Sequence, residues 1–265
     1  MNRPQEFELP TGIRRGDCEA TEWDTRVQLA AAYRLVHHFG WTSIIFNHIT
    51  ARVPGTQDQF LINNFGLRYD EVKASNLLKI DLTGNVIGDY DGVTRVNLAG
   101  YVIHSAIHAA RHDLNCILHT HTTAGVAVSS IEPGLLHINQ DSMQLAGSVA
   151  YHDFEGLAVN DDEKSRLVAD LGERKVLILR NHGLLTAGET IGEAFMLMYL
   201  TEGACRAQVA ALSMGQPING DRGLLERIAA QVPAQQALIT PDGLGGLPFD
   251  ALVRMIDDID PSYRD

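Results

Sequence analysis

The hydrophobic and polar positions along the chain change period several times, and each period predicts a helix or a strand. Apolar residues recur every four positions from Val27 onwards, which predicts a first helix over residues 25–39. Asp24 is the predicted N-cap of this helix, and Gly40 its end. The other elements predicted in the first third are strands over 43–53 and 59–63, a short helix over 70–74 and a hairpin over 78–87. This part of the chain therefore has an antiparallel character.

The remaining two thirds alternate strand-like and helix-like patterns. Asn97 precedes a second helix that ends near Arg111. The elements predicted after it are a strand over 116–118, a helix ending near 129, a strand over 176–179 and helices over 190–214 and 222–231. Hairpins mixed with crossover connections predict one α/β domain with a mixed sheet. The predicted organisation is an N-terminal extension over 1–23, the domain over 24–216, and a tail over 217–265 that packs on the domain or on a neighbouring subunit.

Composition and charge narrow the function classes. The 265 residues include 33 acidic and 21 basic side chains with no block of like charge, and the net charge of −12 disfavours nucleic acid and anionic membranes as partners. The expected partner is a small-molecule substrate. The three cysteines form no CxxC pair, and the sequence shows neither an apolar leader nor a run of apolar residues that could span a membrane. These features predict a cytoplasmic protein.

Eleven histidines are the unusual feature of the composition, and they concentrate in the middle of the chain. His119 and His121 end a strand-like run, where the two-residue period of a strand places both side chains on the same face. His182 ends another such run, directly before Gly183. Three imidazoles at neighbouring strand ends are the arrangement that catalytic zinc uses. Histidines hydrogen-bonded in the core have the same spacing, so the residues alone leave both interpretations open.

Other kinds of catalytic site have less support in the sequence. His104 and His108 lie four residues apart on the second predicted helix, but Ser105 stands where an HExxH zinc site has its glutamate. We therefore expect these two histidines to form a polar helix face in a hydrogen-bond network. None of the four lysines has a context that distinguishes it as a Schiff-base residue, which disfavours imine catalysis.

Three segments together resemble the class II aldolase/adducin family. They are Asn47 to Arg52 (NHITAR), His119 to His121 (HTH) and Arg180 to Leu184 (RNHGL). The resemblance extends over roughly residues 24–214 and is closest to the adducin-like branch. It implies a single α/β/α layered domain with a mostly antiparallel central sheet, commonly assembled as a tetramer with active sites at subunit interfaces.

The resemblance also implies a cofactor. In the family's sugar-phosphate aldolases and epimerases, three histidines that match His119, His121 and His182 hold zinc or another divalent metal. We therefore expect a divalent metal, zinc first, while a three-imidazole site also accepts manganese, iron or cobalt.

The sequence departs from the family pattern at two places. The aldolases have a glutamate, a metal ligand and proton-transfer residue, four positions ahead of the histidine that matches His104, and here that position is Gly100. Asp141 and Glu155 are the carboxylates predicted to substitute for it. The glycine- and serine-rich phosphate loops of the aldolases are also replaced, which leaves a sugar-phosphate substrate open.

Three further residues match or adjoin the substrate-anion region of the family. Asn47, Arg52 and Asn64 are therefore predicted to bind a carboxylate or a phosphate. For Arg52, a structural ion pair is an equally good interpretation.

These features predict a metal-dependent carbon–carbon lyase for a small hydroxy or keto acid or a sugar-derived substrate. The absence of the glutamate shifts the expectation from aldol cleavage towards decarboxylation, because departing carbon dioxide leaves its electron pair on carbon without a base. The alternative is an adducin-like scaffold that keeps the fold but not the catalysis, although such a scaffold has no physical need for three convergent imidazoles. A zinc hydrolase would require a carboxylate near the metal.

Overall fold

One sheet of seven strands organises the part of the chain that the computed structural model describes, residues 12–90, 92–156, 161–239 and 243–265. The strands are β1 (His48–Arg52), β2 (Gln59–Asn63), β3 (Leu77–Asp81), β4 (Cys116–Thr120), β5 (Val149–His152), β6 (Val176–Leu179) and β7 (Gly183–Gly188). They are ordered β3-β2-β1-β4-β7-β6-β5, and only the β5–β6 pair is parallel. The prediction of a mixed, mostly antiparallel sheet is confirmed.

Helices cover both faces of this sheet. They are α1 (Ala20–His38), α2 (Leu98–Ala110), α3 (Thr123–Ser129), α4 (Gln140–Gln144), α5 (Asp161–Leu171), α6 (Ile191–Met214), α7 (Arg222–Ile239) and α8 (Leu247–Ile259). Strand side chains alternate between the two cores: Ile178 packs in the core with α1, α6 and α8, whereas Leu177 and Leu179 pack in the core with α2 and α5. The layered α/β/α arrangement is confirmed, and burial on both faces explains the continuous apolar runs of these strands.

Several predicted boundaries were wrong. The first helix begins at Ala20 instead of residue 25, so Asp24 lies inside it, and Glu19 is its N-cap. The predicted strand over 43–53 begins only at His48, and the predicted helix over 70–74 is a short 3-10 turn, Tyr69–Glu71. Asn97 precedes α2 as predicted, and the structure shows that it caps the helix, since its side chain accepts a hydrogen bond from the backbone of Gly100.

The C-terminal segment contributes to the main core. Phe249 and Ile256 of α8 are buried there, and Tyr263 is fully buried in a final 3-10 turn that lies against α1. Asp260 accepts a hydrogen bond of 2.8 Å from Arg34 of α1. Contact of this segment with a neighbouring subunit stays a prediction. No helix among the described residues is long and apolar enough to cross a membrane.

Candidate metal centre

Strand pairing brings the three predicted histidines together. Because β4 and β7 are antiparallel, the end of β4 lies beside the start of β7, with Thr120 opposite Leu184. His119 and His121 lie at this end of β4, and His182 lies in the turn that leads from β6 into β7. His182 is more than 60 positions away from His119 and His121 in the sequence, and all three therefore meet at one end of the β4–β7 strand pair.

The turn that carries His182 depends on two backbone features. A Cβ atom on Gly183 would lie 2.5 Å from the carbonyl oxygen of Thr120, so only glycine allows the turn to approach β4 this closely. Asn181 adopts a left-handed conformation with φ of 56°, which asparagine tolerates better than most residues. Both features hold His182 against the end of β4.

The three imidazoles converge on one point. Their ring centroids are 4.5 to 4.8 Å apart, and each histidine offers a nitrogen within 4.8 Å of the nitrogens of the other two. The Nε2 atoms of His119 and His121 are 2.7 Å apart. No other group of three or more histidine, cysteine or acidic side chains in the described ranges is placed to hold a metal ion.

The chemistry of this donor set fits a divalent metal. Nδ1 of His119 donates to the carbonyl oxygen of Leu184 over 2.8 Å, so its Nε2 keeps the lone pair that a ligand needs. Burial lowers the pKa of His182 to about 4, and it also lowers the pKa values of His119 and His121. The three imidazoles are therefore neutral at pH 7, as metal coordination requires.

Asn47, a predicted substrate residue, lies beside this centre and is buried. Its Oδ1 accepts a hydrogen bond of 3.1 Å from the backbone N–H of His121, and its Nδ2 donates to the carbonyl oxygen of Trp41 over 2.6 Å. Asn47 thus fastens the segment before β1 to the residue that follows β4, which makes it a positioning residue for His121.

The side chains of the other two predicted substrate residues, Asn64 and Arg52, form hydrogen bonds with backbone groups. Nδ2 of Asn64 donates to the carbonyl oxygen of Val93, and its Oδ1 accepts from the N–H of Arg95, so this amide fixes the loop that leads into α2. Arg52 lies at the opposite end of β1 from His48, and its guanidinium donates to the carbonyl oxygens of Gln57 and His108. The structure does not bring Arg52 to the three-histidine cluster, and these contacts are with carbonyl groups instead of an ion-pair partner.

Neither predicted substitute for the family glutamate contacts the three histidines in the described structure. Asp141 is in the first turn of α4 and lies near α6, where its Oδ2 would be 3.5 Å from a Cβ atom on Gly203. Glu155 is exposed and forms an ion pair with Arg166, whose hydrogen bond lowers the pKa of this carboxyl. The loop that carries Glu155 approaches the centre through Phe154, whose ring centroid is 6.3 Å from that of His182.

Sequence reasoning missed His48. His48 pairs directly with His119 across β1 and β4, and their ring centroids are 5.4 Å apart. Its side chain is 2% exposed and packs edge-on against His104, with ring centroids 4.2 Å apart. The available signal was the two-residue period of β1, which places His48 and Thr50 on one face of the sheet.

The hydrogen-bond network predicted for the face of α2 is confirmed. Oγ1 of Thr50 lies 2.8 Å from Nδ1 of His104 and 2.8 Å from Nε2 of His108, so one hydroxyl joins both histidines to β1. Burial lowers the pKa values of both imidazoles, which keeps them neutral inside the protein.

Comparison with known proteins finds similarity to class II aldolases and to adducins. A family model described as "Class II Aldolase and Adducin N-terminal domain" matches residues 27–209. The chain is similar to an aldolase II superfamily protein of known structure from Pseudomonas syringae, with 46% identity, coverage of 96% of this chain and 100% of that chain, and a TM-score of 0.88.

Two further similarities point to different functions. The solved structure of L-fuculose 1-phosphate aldolase from Glaciozyma antarctica PI12 is 30% identical, with coverage of 92% of this chain and 93% of that chain, and a TM-score of 0.80. Alpha-adducin from Rattus norvegicus is 44% identical over 248 residues, which are 90% of this chain and 33% of alpha-adducin.

Proposed function

The chain belongs to the class II aldolase and adducin family, and from this premise we propose that it is a divalent-metal-dependent carbon–carbon lyase. The proposed substrate is a small hydroxy or keto acid or a sugar-derived compound. The observation that carries the proposal is the convergence of three neutral imidazoles, those of His119, His121 and His182, within 4.8 Å of one another. Such a donor set has a chemical use in an enzyme and no structural need in a scaffold.

His119, His121 and His182 would hold the ion, with zinc as the proposed metal and manganese, iron or cobalt as alternatives. When bound, the ion would supply a Lewis acid for a substrate oxygen whose negative charge grows as the neighbouring carbon–carbon bond breaks. Leu184 orients His119 through its carbonyl oxygen, and Asn47 positions the backbone of His121. These two contacts support the alignment of the ligands before any substrate binds.

We favour decarboxylation over aldol cleavage for this chain. Gly100 brings no carboxylate from α2, and Glu155 is exposed and paired with Arg166 instead of contacting the three histidines. Abstraction of a proton next to a carbonyl needs a positioned base, whereas departure of carbon dioxide does not. An aldol cleavage would need Asp141 or Glu155 to reach the substrate.

A second candidate function is a non-catalytic, adducin-like scaffold, which the similarity to alpha-adducin favours. The two functions differ in what they require of the three histidines. A lyase loses its activity when the histidines are replaced, whereas a scaffold keeps its fold and its assembly.

We also propose a homotetramer in the cytoplasm. Three large apolar side chains are exposed along the second half of α6, those of Val209, Leu212 and Met214. They support an assembly, since exposed apolar patches mark interaction surfaces. Cys18, Cys116 and Cys205 are free thiols, which supports a reducing compartment. The net charge of −12 supports the absence of nucleic acid and membrane partners.

The proposal is tested by assaying zinc-loaded and chelator-treated protein against a panel of hydroxy and keto acids. Release of carbon dioxide or of an aldehyde is measured, which separates decarboxylation from aldol cleavage. We expect carbon dioxide from at least one acid with the loaded protein and none after chelation. Absence of product from the whole panel, with folded and metal-loaded protein, would favour the scaffold.

A further inference from the structure

A fourth imidazole faces the three-histidine centre. His48 and His119 are directly opposite each other in the β1–β4 pair, so their side chains project from the same face of the sheet. Ile49 and Ala51, the alternate residues of β1, lie in the core on the other face. The imidazole of His48 is therefore directed to the side of the sheet that carries His119.

Helix α2 leaves a space that His48 fills. A Cβ atom on Gly100 would stand 1.9 Å from Nε2 and 2.3 Å from Cδ2 of His48. Contacts this short do not occur between non-bonded atoms, so the ring lies where any side chain at position 100 would begin. The imidazole of His48 can therefore lie against α2 only because position 100 has no side chain.

The imidazole is held in place but retains a free hydrogen-bonding group. His48 packs edge-on against His104. The hydroxyl of Thr50 holds His104 through one hydrogen bond and is itself bonded to His108. Nδ1 of His48 is buried and has no hydrogen-bond partner in the described structure. Five other buried side-chain atoms of the described residues also lack a partner, and what distinguishes His48 is that its ring centroid lies 5.4 Å from that of His119.

We propose that His48 contacts the substrate at the three-histidine centre and binds an oxygen of a chelating carboxylate. This proposal rests on the proposed function and narrows its substrate class to acid anions. The proposed ligands are three imidazoles, which carry no negative charge, and α2 adds none at Gly100. A divalent ion there would keep its full positive charge, which favours an anionic ligand over a neutral sugar hydroxyl.

The test uses cobalt(II) as the metal and oxalate, a small chelating dicarboxylate, as the probe. Visible absorption of the cobalt-loaded protein reports metal binding, and its change with added oxalate gives an oxalate dissociation constant. We expect His48→Ala to weaken oxalate binding by about tenfold, the effect of losing one charge-assisted hydrogen bond, with cobalt affinity within about threefold of the parent. His48→Gln, which keeps a hydrogen-bonding group, should recover part of the loss.

Two further variants keep the test decisive. Gly100→Ala displaces the imidazole without removing it, and it should weaken oxalate binding as His48→Ala does. His112→Ala, at an exposed position, is the matched control and should change neither constant.

Three results would overturn the inference. Oxalate affinity within about twofold of the parent in both His48→Ala and Gly100→Ala would show that the ring does not contact the ligand. Parallel loss of cobalt and oxalate binding would make His48 a metal ligand or a structural residue instead. A folded parent protein that binds no cobalt would overturn the proposed function as well, so the two failures are distinguishable.

Discussion

Gly100 and His48 share one space between α2 and β1, since a Cβ atom at position 100 would stand 1.9 Å from Nε2 of the imidazole. The two residues are 52 positions apart in the sequence. The imidazole of His48 can take its position only because residue 100 has no side chain. The glycine removes a side chain from the first turn of α2, and the histidine places a neutral group of different chemistry beside His119.

The shared space predicts a strong energetic coupling between the two positions. Gly100→Ala should destabilise the protein by about 1–3 kcal/mol, because the new methyl group forces the ring away from a packed position. In a His48→Ala background the same change should cost less, because the contact with the ring is gone and alanine favours helix more than glycine does, although the Cβ atom still stands 3.1 Å from Nδ2 of Asn97. Urea unfolding of the four proteins measures the coupling.

The control for this cycle is Gly16→Ala, because a Cβ atom on Gly16 would meet nothing within 4 Å. It should change the free energy of unfolding equally in both backgrounds. Equal effects of Gly100→Ala in both backgrounds would show that the ring moves aside freely and that the two residues are independent.

The hydrogen bond from His121 to Asn47 predicts an effect on metal affinity. Asn47→Ala removes the acceptor for the backbone N–H of His121, so the residue that follows β4 loses its fixed position. We expect metal affinity to fall by about tenfold or more, as for other residues that orient metal ligands. Competition with a chelator of known affinity measures the change, and Asn115→Ala, at an exposed site before β4, should leave it unaltered. Unchanged affinity in Asn47→Ala would assign this asparagine a role in folding alone.

His108 predicts a dependence of stability on pH in the metal-free protein. Burial lowers its pKa to about 3, with a further contribution from the charge of Arg52, whereas its ordinary pKa is 6.5. Between pH 6.5 and 3 the unfolded chain therefore binds more protons than the folded chain, and the free energy of unfolding decreases as the pH falls. The stabilisation is complete above pH 6.5 and is lost progressively below it.

The measurement compares urea unfolding of the parent and of His108→Gln at pH 7 and pH 5. The parent should lose about 2 kcal/mol more than the variant between these two pH values, because glutamine does not titrate. His112→Gln, at an exposed position, should lose as much as the parent. Equal losses in the parent and His108→Gln would mean that His108 is protonated in the folded protein.

Local patterns predicted much of the fold, because each rests on nearby residues. The helix that follows Asn97 and the strand over 59–63 each follow from the period of nearby apolar residues, and both are present in the structure. Strands β5 and β7 were not predicted. Glycine at both ends of β7 is typical of turns, and only pairing with β4 and β6 makes this segment a strand.

The candidate site was predictable where its residues are close in the sequence. His119 and His121 are two positions apart, so their shared face follows from strand geometry alone. The role of His48 depends on Gly100 and on the packing of α2 over β1, which no local pattern contains. The contacts of Arg52 likewise depend on carbonyl groups at the C-terminal end of α2, which tertiary packing brings to it.

The central claim, a divalent metal held by three histidines, is tested most directly by the metal content of the purified protein. Elemental analysis of the parent should find about one divalent ion per chain, as expected for a single three-histidine site. The His119→Ala, His121→Ala double variant should contain almost none, and a His37→Ala, His112→Ala double variant, with both positions exposed, should match the parent. A folded parent that contains no divalent metal and takes up neither zinc, manganese, iron nor cobalt would contradict the claim, as would a His119→Ala, His121→Ala variant that retains its metal.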